Sequence, residues 1–238
     1  MSFLQLAVAS GVVALGSMIQ GSIGFGVNVV AGPILVLIDP ELVPGPALVV
    51  AFALTLLVAL RERGSTDLGG FRWVFVGRVP GTIGGAFAVA AIPQQGVAIA
   101  LATVVLIAVL LSIAGWRLRR TPSTLMGAGA LSGLMGTISS VGGPPIALLY
   151  QDERGSEVRG TLSSIFAVGA LFSIVILAIV GEFGWHELRV SLVLLPAVVV
   201  GFVVSRWTAA VLDRGFIRPA ILALCAVSAL AALVRYAF

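Results

Sequence analysis

Ten apolar stretches separated by short polar links constrain this chain more than any other feature. They cover residues 3–19, 26–38, 42–60, 73–91, 94–115, 123–138, 143–151, 160–180, 187–207 and 216–236. A helix needs about 20 apolar residues to cross a bilayer, and most of the stretches approach that length. Hydrocarbon offers backbone N–H and C=O groups no partners, so spanning segments of this kind are helices. Composition agrees. Hydrophobic residues make up 59% of the 238, charged residues only 10%, and the mean hydropathy is +1.15, whereas a soluble domain carries about a quarter charged residues. The fold class expected is an all-α integral membrane protein.

Two stretches, 26–38 and 143–151, are too short to span, and each follows a polar interruption. The first interruption is Gln20-Gly21-Ser22-Ile23-Gly24-Phe25-Gly26. The second is Thr137-Ile138-Ser139-Ser140-Val141-Gly142-Gly143-Pro144-Pro145. A lipid-facing helix has no reason to break, because the freed amides need partners that only protein or a cavity supplies. Segments 1–2 and 6–7 are therefore expected to be re-entrant hairpins or helices unwound in the middle.

Loop charge orients the chain. The net charge of +4 comes without a single Lys. With the N-terminus outside, Arg61, Arg63, Arg72, Arg78, Arg117, Arg119, Arg120, Arg154, Arg159, Arg206, Arg214 and Arg218 fall on the cytoplasmic side, leaving Arg189 and Arg235 opposite. That is the positive-inside pattern, not a nucleic-acid face. The four tryptophans, Trp73, Trp116, Trp185 and Trp207, fall at segment ends, as interfacial anchors do. The N-terminus lacks the basic n-region of a cleaved signal peptide, so the first segment is expected to remain.

The halves resemble one another. Ser22-Ile23-Gly24-Phe25-Gly26 aligns with Ser140-Val141-Gly142-Gly143-Pro144 at an offset of 118, and Pro80 with Pro196 at 116. Residues 1–120 and 121–238 each hold five stretches and start on opposite sides, which predicts two inverted-topology repeats. Transporters recurrently place a site at the interface of such repeats, between broken helices. Gly77 with Gly81, and Gly129 with Gly133, are spaced for close helix approach.

The expected chemistry is anion binding. Helix starts near Gly26 and Pro145 present free amides and about half a positive charge, and Pro suits the first helical turn. Ser22, Thr137, Ser139 and Ser140 add hydroxyls; Gln20 and Asn28 add amides. The candidate binding set is Gln20, Gly21, Ser22, Gly24, Gly26, Asn28, Thr137, Ser139, Ser140, Gly142, Gly143, Pro144 and Pro145, with Arg154 and Arg159 as weaker candidates for gathering anions at the cytoplasmic mouth. No Asp, Glu, Lys or His lies deep in an apolar stretch, which disfavours proton coupling through a buried carboxylate. Uniport or weakly coupled exchange is expected, since the inside-negative potential favours anion exit by about 2.3 kcal/mol per charge per 100 mV. Cys225 is alone, His186 has no second ligand nearby, and Gly127-Ala128-Gly129 lacks the remaining signals of a dinucleotide loop. No metal or cofactor is expected. An enzyme reading lacks a general acid or base near the breaks; an accessory subunit would not require two symmetric breaks.

The pattern 20–26, followed by Gly32-Pro33 and by Gly136 with the Gly142-Gly143-Pro144-Pro145 core, resembles the TauE/SafE family of sulfite exporters over essentially the whole chain. The resemblance implies a permease of the cell (plasma or inner) membrane, not an enzyme, that exports sulfite or a related organosulfur anion such as a sulfonate. Its motif positions here are Gln20, Gly21, Gly24, Gly26, Gly136, Gly142, Gly143, Pro144 and Pro145. The expected partners are a small anion and the bilayer, with a homo-oligomer left open.

Overall fold

The computed structural model describes residues 2–64, 66–114, 118–150, 156–212 and 218–237, with the side chains of 209–220 left aside. Ten α-helices run through them: α1 Phe3–Ile23, α2 Val27–Ile38, α3 Gly45–Arg61, α4 Leu68–Ala91, α5 Gln94–Ala114, α6 Pro122–Ser139, α7 Gly143–Ala147, α8 Ser156–Ile179, α9 Trp185–Leu212 and α10 Arg218–Ala237, with a short 3-10 turn at Pro40–Leu42 before α3. Each of the ten apolar stretches is matched by a helix, and no strand occurs among the described residues.

Six segments are long and apolar enough to cross a membrane: Phe3–Ile23, Pro40–Arg61, Leu68–Ala91, Gln94–Ala114, Ser156–Ile179 and Trp185–Thr208. Large apolar side chains such as Phe3, Leu68, Phe87, Leu110, Ile113, Ile179 and Val227 stand on the outside of the bundle. In water that surface would drive aggregation; against lipid tails it is matched. This is a multi-pass helical membrane protein.

Glycine decides which helices touch. α4 lies on α6 so closely that a Cβ at Gly77 would overlap the Met126 carbonyl, one at Gly81 the Ala130 carbonyl, and one at Gly129 the Val74 carbonyl. The small-residue spacing read from the sequence thus forms a single seam, in which backbone meets backbone and dispersion contacts replace a hydrophobic drive that lipid does not supply. A second seam joins α1 to α9, where a Cβ at Gly201 would overlap the Ala14 carbonyl and one at Gly21 the Ser205 hydroxyl. α3 packs on α8, and α5 on α10. The largest core cluster gathers Val13, Val30, Leu35, Leu54, Leu101, Leu194 and Cys225; Cys225 is a free, buried thiol.

One end of the bundle is tied by arginine. Glu62 Oε1 accepts from Arg61 Nε at 3.2 Å and from Arg159 Nε at 3.1 Å. Arg61 also donates through Nη1 to Ser205 Oγ at 3.0 Å and through Nη2 to the Gly21 carbonyl. These bonds join the ends of α1 and α3 to α8 and α9. At the opposite end Gln94 donates to the Val43 carbonyl at 2.6 Å, and Arg235 to the Leu37 carbonyl at 2.6 Å.

Arg78, which lies beyond the loop that Arg61, Arg63 and Arg72 flank, sits well inside α4 and is 3% exposed; the helix extends past it on both sides. Arg117, Arg154, Arg214 and Trp116 lie outside the described residues.

Candidate functional site

α1 ends at Ile23 and α2 begins at Val27, and the link turns on two glycines. Gly24 has φ +99° and Gly26 φ +119°, a left-handed region that side chains with a Cβ resist. The first amide of α2 does not stay free: Val27 N–H donates to Gln20 Oε1 at 2.7 Å. Asn28 and Val29 supply the next two amides of that first turn, which has no intrahelical acceptors. The Asn28 side chain reaches across, donating through Nδ2 to the Ala47 carbonyl at 2.9 Å and to the Ser140 carbonyl at 3.1 Å. With two carbonyls on the nitrogen, the amide orientation is settled by its partners. Asn28 Oδ1 is buried without a partner.

α6 ends at Ser139. Ser140 follows with φ +58°, a left-handed conformation for a residue that has a Cβ. Its hydroxyl donates to the Ser139 carbonyl at 2.5 Å, and Val141 N–H donates to Ser139 Oγ at 3.3 Å. α7 is only five residues long and opens on Pro144 and Pro145. The absence of an N–H on proline suits a helix start, yet it also removes two donors from the end that was expected to hold an anion. α7 is therefore a weak source of amides.

The two breaks meet. A Cβ on Gly143 would lie 3.1 Å from the Phe25 ring, and Asn28 bonds Ser140 directly. Between them is a small cavity of about 40 Å³, lined by Gln20, Phe25, Gly26, Val27, Asn28 and Val29 from the first break and by Gly136, Ser140, Val141, Gly142 and Gly143 from the second. Leu48, Ala51 and Thr55 of α3, Arg78 of α4, and Phe166 and Ala170 of α8 complete the wall.

The remaining candidates lie away from this wall. The Ser22 hydroxyl bonds the Met18 carbonyl at 2.9 Å and the Ser205 carbonyl at 3.3 Å. Gly21 packs on Ser205, and Gly24 faces the Arg159 backbone. Thr137 bonds the Gly133 carbonyl at 2.8 Å and Ser173 Oγ at 2.9 Å, and Ser139 bonds the Met135 carbonyl at 2.7 Å. Pro144 and Pro145 are buried and do not line the cavity. Arg159 is engaged by Glu62.

Arg78 is the wall residue that sequence reasoning missed. Nη1 donates to Ser132 Oγ at 2.7 Å, and Ser132 Oγ donates on to the Gly142 carbonyl at 2.6 Å. Nε is buried with no partner, and no ion pair among the described residues includes this guanidinium. Gly169 of α8 leaves the room: a Cβ there would overlap Nε and Cζ. The signal was present, because Arg78 falls within the apolar stretch 73–91, and an arginine inside such a stretch marks a functional position by default.

Helices of this apolarity around a cavity that holds an arginine define a multi-pass membrane protein with an internal polar site. Residues 8–232 match the family model described as Sulfite exporter TauE/SafE, and the chain belongs to that family. No curated protein and no solved structure matches it.

Proposed function

We propose that this chain is a secondary transporter that carries sulfite or a related organosulfur anion out of the cell through the cavity at the two breaks. The observation that carries this reading is the convergence of both interruptions on one cavity, in a chain of a sulfite-exporter family. In this reading Gln20, Gly26, Asn28, Ser140, Gly142 and Gly143 form the wall that meets substrate. Gly21, Ser22, Gly24, Thr137, Ser139, Pro144 and Pro145 hold the breaks in shape.

Residues 1–120 and 121–238 act as inverted repeats of one membrane domain. Helix pairing supports this: α1 of the first half lies along α9, and α6 of the second half along α4. Exchanging the halves converts one pair into the other, as a two-fold axis in the membrane plane requires, and α3 on α8 and α5 on α10 map onto themselves. The arginine-tied end faces the cytoplasm and the N-terminus lies outside, in agreement with loop charge. Alternating access of the two helix pairs then exposes the cavity to each side in turn.

Flux into proteoliposomes across sulfite, thiosulfate, methanesulfonate and acetate tests the reading. Saturable sulfite flux is expected in the native chain and its loss in Gly143→Leu, whose side chain would drive into Phe25 and fill the cavity. Absence of saturable flux for every anion, or native flux in Gly143→Leu, refutes it.

A further inference from the structure

We infer that Arg78 is the counter-charge of the transported anion, and that the cavity takes a monovalent oxyanion. The inference rests on the proposed transport function and deepens it. A guanidinium removed from water and left without a carboxylate is costly, and such residues inside membrane segments line substrate pathways or pair with one another. Arg78 lines the cavity, has no acidic partner among the described residues and makes one hydrogen bond, to a neutral hydroxyl, while its Nε, packed against Gly169, makes none. Asn28 Oδ1, on the same wall, is a second buried polar atom with nothing to bond. A cation that lines a cavity and has no counter-ion among the described residues points to an anionic ligand.

The charge of that ligand follows from the wall. Among the lining residues Arg78 alone is ionisable; Gln20, Asn28, Thr55 and Ser140 are neutral, and the rest are apolar or glycine. One anionic charge neutralises the cavity. A dianion would leave one uncompensated charge in a medium that solvates it poorly. The planar fork of an arginine also suits two oxygens of one oxyanion.

The test is Arg78→Met in the full chain. Removing an unpaired buried cation should leave the melting temperature in detergent unchanged or raised, while kcat/KM for sulfite flux falls about 100-fold. Methanesulfonate, monovalent at every working pH, should raise the melting temperature of the native protein but not of Arg78→Met, and should inhibit native sulfite flux; sulfate, a dianion, should do neither. Native-like flux in Arg78→Met, or an aggregated Arg78→Met (which would make Arg78 a structural residue), overturns the role assigned to Arg78. Equal inhibition by sulfate and methanesulfonate overturns the monovalent selection. A native protein that moves no anion overturns the transport reading itself, a result distinct from flux that survives without Arg78.

Discussion

The two breaks look alike in sequence and are built differently. The first is closed from within its own hairpin: Gln20 takes the Val27 amide, and two glycines make the turn into a helix of twelve residues. The second turns on Ser140 and leads into five helical residues that open on two prolines. It too is closed from within its hairpin, by Ser132 of α6 on the Gly142 carbonyl, but Ser132 in turn holds Arg78 of α4. The first break offers helix amides and carboxamides to the cavity, while the second fixes the place of a cation. One break supplies a dipole and the other an anchor.

The largest effect should come from breaking the anchor side. In Gly142→Leu the new Cβ would lie 2.7 Å from the Ser132 carbonyl and 3.0 Å from its hydroxyl. Overpacking of this kind costs about 3 kcal/mol, so a clear loss of melting temperature together with transport is expected by thermal denaturation and liposome flux. A native melting temperature in Gly142→Leu would remove the tight second break from the account.

A smaller, more discriminating contrast pairs Ser132→Ala with Gln20→Ala. Ser132→Ala loses a hydrogen bond to a buried charge, worth about 1.5–3 kcal/mol, and frees the guanidinium to shift, so KM for sulfite should rise more than kcat falls. Gln20→Ala uncaps α2 at about 1 kcal/mol and leaves Arg78 in place, so its effect on KM should be the smaller of the two. Equal shifts in KM would erase the division between dipole and anchor.

The smallest effect should be a gain. Ser140→Gly removes a Cβ from a left-handed position and relieves about 1 kcal/mol, read as a modest rise in melting temperature. The entropy of the added glycine works against it. A fall in stability would show that the Ser140 hydroxyl, bonded to Ser139, matters more than the backbone conformation it accompanies.

Much of the fold was legible because a bilayer leaves few choices. Apolar runs must be helices, and glycines four apart mark close approaches, so all ten helices and the close approach at Gly77–Gly81 followed from spacing, but the choice of α6 as its partner did not. The position of both breaks was equally open, since Gly and Pro interrupt helices for local steric reasons. The division of labour among the polar groups was not. Ser22 and Thr137 carry the same hydroxyl as Thr55, but which face of a helix meets the cavity depends on packing partners far away in sequence, here α9 and α8. Arg78 was hidden by a rule that reads arginines as boundary markers, although its six-residue depth in the stretch 73–91 argued otherwise.

The seam between α4 and α6 has a mechanical meaning. At Gly77, Gly81 and Gly129 no side chain separates the two backbones, and bare backbone ridges interlock without the give that flexible side chains provide. Sliding one helix past the other would force carbonyls through one another's space, so the pair moves as one beam. Arg78 is mounted on α4, and the second break is mounted on α6. Whatever motion opens the cavity, the cation and the chain around Gly142 travel together at fixed spacing, and the relative movement falls on the hairpin opposite.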